Sequence, residues 1–377
     1  MNDIWKTYKL GDIGTIVGGA TPSTFIDKYY GGNIPWLTPK DLSNFHERYI
    51  TQGERNITQE GLESCSAQLL PQNTILFSSR APIGYVAIAK NPVATNQGFK
   101  SVIPNEKIVS YLFLYYLLVY NKNRIEAVGS GTTFKEVSAS TMRNIPISLP
   151  PLAEQKRIAD ILGAIDDKIE LNRRINANLE QQAQALYKSW FVDNKKDDWE
   201  EKRLDDIISI YDSQRKPLSG QQREKMEKLY PYYGAASLMD YVDNYLFDGI
   251  YLLLGEDGTV SDSEGFPMLQ YVWGKFWVNN HAHILQGKNG FTTESLYILL
   301  KQTNVSSIVT GAVQPKISQA NLKSVPITMP PINLLNQYND IIKPLFDQIR
   351  TNQNQIQQLS TLRDTLLPKL MSGEIKV

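Results

Sequence analysis

Two segments of the chain carry apolar residues on a seven-residue period, and each follows the same proline-rich motif. From Ile158, alternating steps of four and three residues reach Leu162, Ile165, Ile169, Asn172, Asn176, Leu179, Ala183, Leu186 and Trp190, which is a heptad seam. The second seam runs Tyr338, Ile342, Leu345, Ile349, Asn352, Ile356, Leu359, Arg363, Leu366 and Leu370. Both are flanked by polar residues, so each predicts a long helix whose narrow apolar stripe needs a partner. The economical partner is the other copy, packed antiparallel on the same chain. Asn172 and Asn352 fall at equivalent seam positions, where a buried amide fixes register at some cost in stability. Pro151 and Pro331 suit helix starts, and Pro368 with Gly373 suits a helix end. Pro344, inside the second seam, predicts a kink or a delayed helix.

The periodic segments belong to a longer repeat. Asn144-Ile145-Pro146-Ile147-Ser148-Leu149-Pro150-Pro151 returns 180 positions later as Ser324-Val325-Pro326-Ile327-Thr328-Met329-Pro330-Pro331, and Gly131/Gly311, Asp160/Asp340 and Leu186/Leu366 keep that shift. The repeat begins at Lys9-Leu10-Gly11-Asp12-Ile13, matched by Arg203-Leu204-Asp205-Asp206-Ile207 at a shift of 194, so the two globular heads differ by 14 residues while the helices keep register. Both heads read as strands followed by a helix. In the first, strands are expected at 74–78, 85–89 and 99–103 and a helix around 111–119; in the second, strands at 250–254, 275–278 and 282–285 and a helix around 296–300. The resulting division is 1–150, 151–193, 194–331 and 332–377, head and helix alternating.

With 377 residues, 42% of them hydrophobic, the chain can fill two cores. Its longest apolar run, Tyr111 to Tyr120, is about half a bilayer span, and the N-terminus has no signal-peptide pattern, so a cytoplasmic protein is expected. A single cysteine, Cys65, excludes an internal disulfide framework or a cysteine-based zinc cluster. Charge is balanced at 39 basic and 39 acidic residues; residues 1–150 carry 14 and 11, and 194–331 carry 14 and 17. Any contact with DNA must therefore rely on local patches or on partner subunits.

No catalytic constellation emerges. A phosphate-binding G-x-x-x-x-G-K-[ST] loop and a G-x-G-x-x-G turn are both missing. Asp166-Asp167-Lys168 superficially resembles a metal-dependent nuclease site, but on a coiled-coil helix it reads as a solvated face. His281 and His283 share one face of a strand without a nearby third ligand, which favours hydrogen bonding or packing over a metal. The heads offer instead loops of short polar side chains mixed with single cations: Ser79, Arg80, Asn96, Gln97, Thr132, Thr133 and Lys135 in the first, and Asn279, Asn280, His281, Gln314 and Lys316 in the second. Such side chains read base edges or clasp phosphates, although each also suits an ordinary turn. Their recurrence in both heads, with Lys316 as the near-equivalent of Lys135, favours a ligand-facing role.

These segments resemble the specificity (S) subunit of type I restriction-modification systems. The resemblance is carried by Leu76-Phe77-Ser78-Ser79-Arg80-Ala81-Pro82-Ile83-Gly84, Thr95-Asn96-Gln97-Gly98-Phe99-Lys100, the stretch from Gly129 to Ile161, Asp257-Gly258-Thr259-Val260 and Val278-Asn279-Asn280-His281-Ala282-His283. It implies an α+β protein with two pseudo-twofold related α/β target-recognition domains separated by a long antiparallel two-helix coiled coil. It further implies a non-catalytic DNA-binding subunit that recognises a split double-stranded sequence, each domain reading one half. Partners would be two methyltransferase subunits using S-adenosylmethionine and two ATP- and Mg-dependent restriction subunits, with no cofactor in this chain. Helices of roughly 40 residues, up to about 60 Å long, would set the unread spacer. Gly311-Ala312-Val313-Gln314-Pro315 departs from Gly131-Thr132-Thr133-Phe134-Lys135. The competing readings are a coiled-coil adaptor with two protein-binding heads, and an enzyme, which would need a cofactor motif.

Overall fold

The computed structural model describes residues 5–131, 135–311 and 313–377. They form two compact units, one comprising residues up to Arg173 with Asn354–Val377, the other Arg174–Gln353. Each unit thus contains one head and half of each long helix.

In the first unit a five-stranded sheet has the order Gly14–Gly18, Lys100–Pro104, Ile75–Ser79, Ile83–Ala89, Tyr49–Ile50, with only the last pair parallel. Every residue of Ile75–Ser79 is buried, as its unbroken apolar run followed by two serines requires of a central strand. Tyr111–Tyr120 is apolar on all sides and is correspondingly buried on most of its surface, against the sheet and the long helices. Phe77, Phe113, Leu117, Ile158, Leu162 and Leu370 share one core. Each such side chain contributes about 1.5–3 kcal/mol on burial. A second sheet, Arg55–Ile57, Tyr30–Leu37, Ala94–Thr95, stands beside it.

The second unit repeats the framework. Ile208–Ile210, Ala282–Gly287, Phe247–Gly255, Leu269–Val278, Tyr230–Tyr233 and Leu238–Val242 form one six-stranded sheet in that order. Thr293–Lys301 covers it, capped by Thr292, whose hydroxyl accepts from the Ser295 amide. The pairing of the first unit's three-stranded sheet recurs within the six-stranded sheet: Tyr230–Tyr233 pairs antiparallel with Leu238–Val242 and parallel with the end of Leu269–Val278, as Tyr30–Leu37 does with Arg55–Ile57 and Ala94–Thr95. The repeated proline motif does the same work twice: Pro146–Leu149 pairs antiparallel with Lys6–Lys9, and Pro326–Met329 with Glu200–Arg203.

The long helices span Leu152–Tyr187 and Ile332–Met371. Each begins one residue after its proline, and the Pro151 and Pro331 carbonyls accept the first helical N–H groups. Pro344 neither delays nor ends the second helix, which runs through it from Ile332 to Met371. Pro344 and Asp340, whose carbonyl loses its donor, both lie on the exposed side, where water satisfies that group. Pro368 likewise lies within the last turn, and the helix stops before Gly373, whose φ of +73° a side chain would strain.

The helices run antiparallel. In the first unit Arg363 bonds Asp166 and Asn172 bonds Gln355; in the second Asn352 bonds Asn176, and the Tyr338 hydroxyl donates to the Ala183 carbonyl. Leu162, Ile169, Asn172, Ile342 and Asn352 are buried in the seam, whereas Ile165, Leu179, Leu186, Leu345, Ile349, Leu359 and Leu366 are half-buried. Tyr187, Phe346 and Leu367, off the seam, are buried as well because the heads pack on the flanks and widen each stripe.

Each head is also tied to its helix by an ion pair. Buried Arg48 bonds Glu170 through Nε at 3.0 Å and also meets Asp167. In the second unit the polarity is reversed: helix residue Arg350 bonds head residue Glu294 at 3.1 Å. The Asp166-Asp167-Lys168 face is therefore not merely solvated. Asp166 is 4% exposed, accepting from the Tyr116 hydroxyl at 2.7 Å and from Arg363 at 2.9 Å. Burial, reinforced by the Asp166 charge, holds the Tyr116 phenol far above its ordinary range.

Candidate nucleic-acid interface

Both units organise their loops around the end of a central strand. In the first, the Ser79 amide donates to the Gly98 carbonyl at 2.7 Å, and the Ser79 carbonyl accepts from Val137 at 3.0 Å. Residues 80–82, 96–98 and the pair Ser130–Glu136 are thereby held side by side. In the second unit Glu256 donates to the His281 carbonyl at 2.8 Å and accepts from Ile317 at 2.9 Å, giving the same node.

The node separates the sequence candidates by what their side chains do. Ser79 is fully buried, its hydroxyl donating to Gly98, and Asn96 accepts from the Gly98 amide at 2.8 Å. Asn279 is 5% exposed and caps the turn by accepting from the His281 amide at 2.8 Å. These three shape loops. Arg80, Gln97 and Lys135 emerge from the first node, and Asn280, His281, Gln314 and Lys316 from the second. Thr132 and Thr133 lie outside the described residues.

The first loop face is basic. Arg80 and Lys100 approach Glu136 at 3.7 and 3.1 Å, whereas Lys122 and Lys135 have no acidic partner among the described residues. Lys122 lies over Gly84, where a Cβ would come within 2.5 Å of it. Lys122 escapes a motif search because it belongs to a short helix, Lys122–Ala127, that only the fold brings beside Gly84.

The second face is mixed. Asp257 lies 3.6 Å from the His281 ring and Lys316 lies 3.6 Å from Glu256. The expected match of Lys316 with Lys135 does not hold. Thr310 and Lys316 exchange backbone hydrogen bonds as Ser130 and Glu136 do, so Lys316 occupies the place of Glu136 with the opposite charge.

His283 does have acidic neighbours that the sequence left distant. Its Nδ1 lies 2.6 Å from Asp212 and 3.7 Å from Glu256, and its Nε2 lies 2.8 Å from the Ile317 carbonyl. These three side chains could in principle offer ligand atoms to a metal. Arg215, however, pairs with Glu256 at 2.5 Å, while Gln319 and the Ile284 amide donate to Asp212. The donors already present make this a clamp under the node. Burial opposes ionisation of Asp212, but the hydrogen bonds from His283 and Gln319 outweigh it and hold the carboxyl below its ordinary value.

The two-unit fold, the repeated node and the antiparallel helices define a specificity-subunit architecture. The type I restriction modification DNA specificity domain matches residues 2–181 and again 196–361. The chain belongs to this family of non-catalytic, DNA-binding specificity subunits. It is 37% identical to the type I restriction enzyme MjaIX specificity subunit of Methanocaldococcus jannaschii, over 99% of this chain and 94% of that protein. It is 22% identical to the EcoprrI specificity subunit of Escherichia coli over 94% and 90% of the two chains. Among solved structures, the S subunit of a type I restriction-modification system from M. genitalium shares the fold with a TM-score of 0.57 at 20% identity, covering 98% of this chain and 97% of that one.

Proposed function

We propose that this subunit recognises a bipartite DNA sequence, each unit reading one half-site and the paired helices fixing the number of base pairs left unread. The supporting observation is the repeated node: one strand framework, built twice, presents loops of different length and charge. The basic face of Arg80, Lys122 and Lys135 suits phosphate contacts, and Gln97 suits a base edge. The second unit, with 18 basic and 21 acidic residues, relies on fewer local cations and on neighbouring subunits. Two methyltransferase subunits carrying S-adenosylmethionine would modify adenine at the chosen site. Two restriction subunits using ATP and Mg would cleave elsewhere, in the cytoplasm.

The test is co-expression with a cognate methyltransferase subunit and a genome-wide map of N6-methyladenine. A split motif of two specified blocks around a fixed unspecified spacer is expected. Methylation without a sequence motif, or within one continuous block, would sink the reading.

A further inference from the structure

Among the described residues of the first unit, the most exposed aromatic side chain is Phe25, at 96%. Leaving so large an apolar side chain in water is unfavourable, and the segments on either side of its turn are tied to the sheet. The Trp36 indole N–H donates to the Ala20 carbonyl at 3.0 Å, and the Tyr30 hydroxyl donates to the Pro22 carbonyl at 2.8 Å. The Ala20 amide donates to the Thr95 carbonyl at 3.0 Å. Gly19 packs so closely on the next loop that a Cβ would lie 2.1 Å from the Thr95 carbonyl oxygen. Thr21 bonds Gln97, so the Phe25 loop and the Gln97 loop form one surface that continues through Gly98 to Arg80. Beside Phe25 opens a groove of about 530 Å³ lined by Thr24, Asp27, Tyr30, Arg55 and Asn56. Exposed Arg55 has no ion-pair partner among the described residues. This groove lies against the three-stranded sheet, from which Tyr30, Arg55 and Asn56 come.

We infer that Phe25 is an apolar contact to duplex DNA, packing against base surface in the half-site read by the first unit, beside the polar contacts of Gln97 and Arg55. The inference rests on the proposed DNA-reading function. An exposed aromatic ring beside hydrogen-bonding side chains gains its burial only when the ligand arrives, and in the major groove of a duplex the thymine methyl group is the apolar surface open to it. The mixed charge of the groove, where Asp27 and Glu54 accompany Arg55, suits base edges better than a row of phosphates.

The experiment compares wild type, Phe25→Ala and Phe25→Trp, each co-expressed with the methyltransferase subunit at limiting level, by genome-wide mapping of N6-methyladenine. Thermal unfolding of the purified chains runs in parallel. Phe25→Ala is expected to lose methylation about tenfold or to relax one half of the motif, with the other half and the thermal midpoint unchanged. Phe25→Trp is expected to keep most of the activity. Wild-type extent and motif in Phe25→Ala, or a clearly lowered thermal midpoint, would overturn the contact while leaving the split-target reading intact. A wild-type chain that yields no split motif sinks both.

Discussion

Asp166 shows how a residue's chemistry depends on what the fold places above it. Read along the helix, an aspartate pair beside a lysine is surface; only the packing of Tyr111–Tyr120 and the return of the second helix bring Tyr116 and Arg363 onto it. Asp166→Ala would leave both groups without their acceptor. A loss of about 3 kcal/mol is expected, at the lower end for a broken buried pair because Arg363 is partly solvated, and urea denaturation of the full chain would measure it. Asp212 gives a pH dependence. Its folded pKa lies below the ordinary 3.8, so its contribution to stability is present above that value and is lost as pH falls through the lowered one. Acid titration of the unfolding midpoint should therefore fall more steeply below about pH 4 in wild type than in Asp212→Asn; parallel curves would remove Asp212 from the account. Among the loop candidates, the sequence could not tell Ser79, Asn96 and Asn279, which hold turns, from Arg80, Gln97 and Asn280, which face outward. Donor type is written in the chain; direction depends on the node.

At the scale of elements, heptad spacing was enough to place both long helices, and apolar runs between Gly and Pro turns located three strands in each head, while others such as Tyr30–Leu37 and Tyr230–Tyr233, mixed with Gly, Pro and polar residues, went unread. The helix continues through Pro344, with no delay, because the carbonyl it orphans lies on the exposed side, which the sequence alone does not give. Antiparallel pairing also changes what a lengthening experiment must do. Gln181 and Thr361 are equivalent in the repeat, yet they do not face each other: Asn176 faces Asn352 and Asn172 faces Gln355. One heptad inserted in each helix beside the Asn176–Asn352 contact keeps both seams in phase. The expected result is a longer unread spacer with both half-sites unchanged, read from the methylation motif. A fixed spacer with retained activity would refute the ruler.

For the whole molecule, duplication brings a hazard: two similar heads and two similar helices could settle in the wrong combination. The reversed ion pairs bear on this directly. Arg350 stands 180 positions after Glu170, so the first head laid on the second helix would press Arg48 against Arg350, and the second head on the first helix would set Glu294 against Glu170. Like charges meeting at largely buried positions are costly. The polarity of one contact thus works as a key, cut differently for each lock, by which a chain that repeats itself can still fold in only one way.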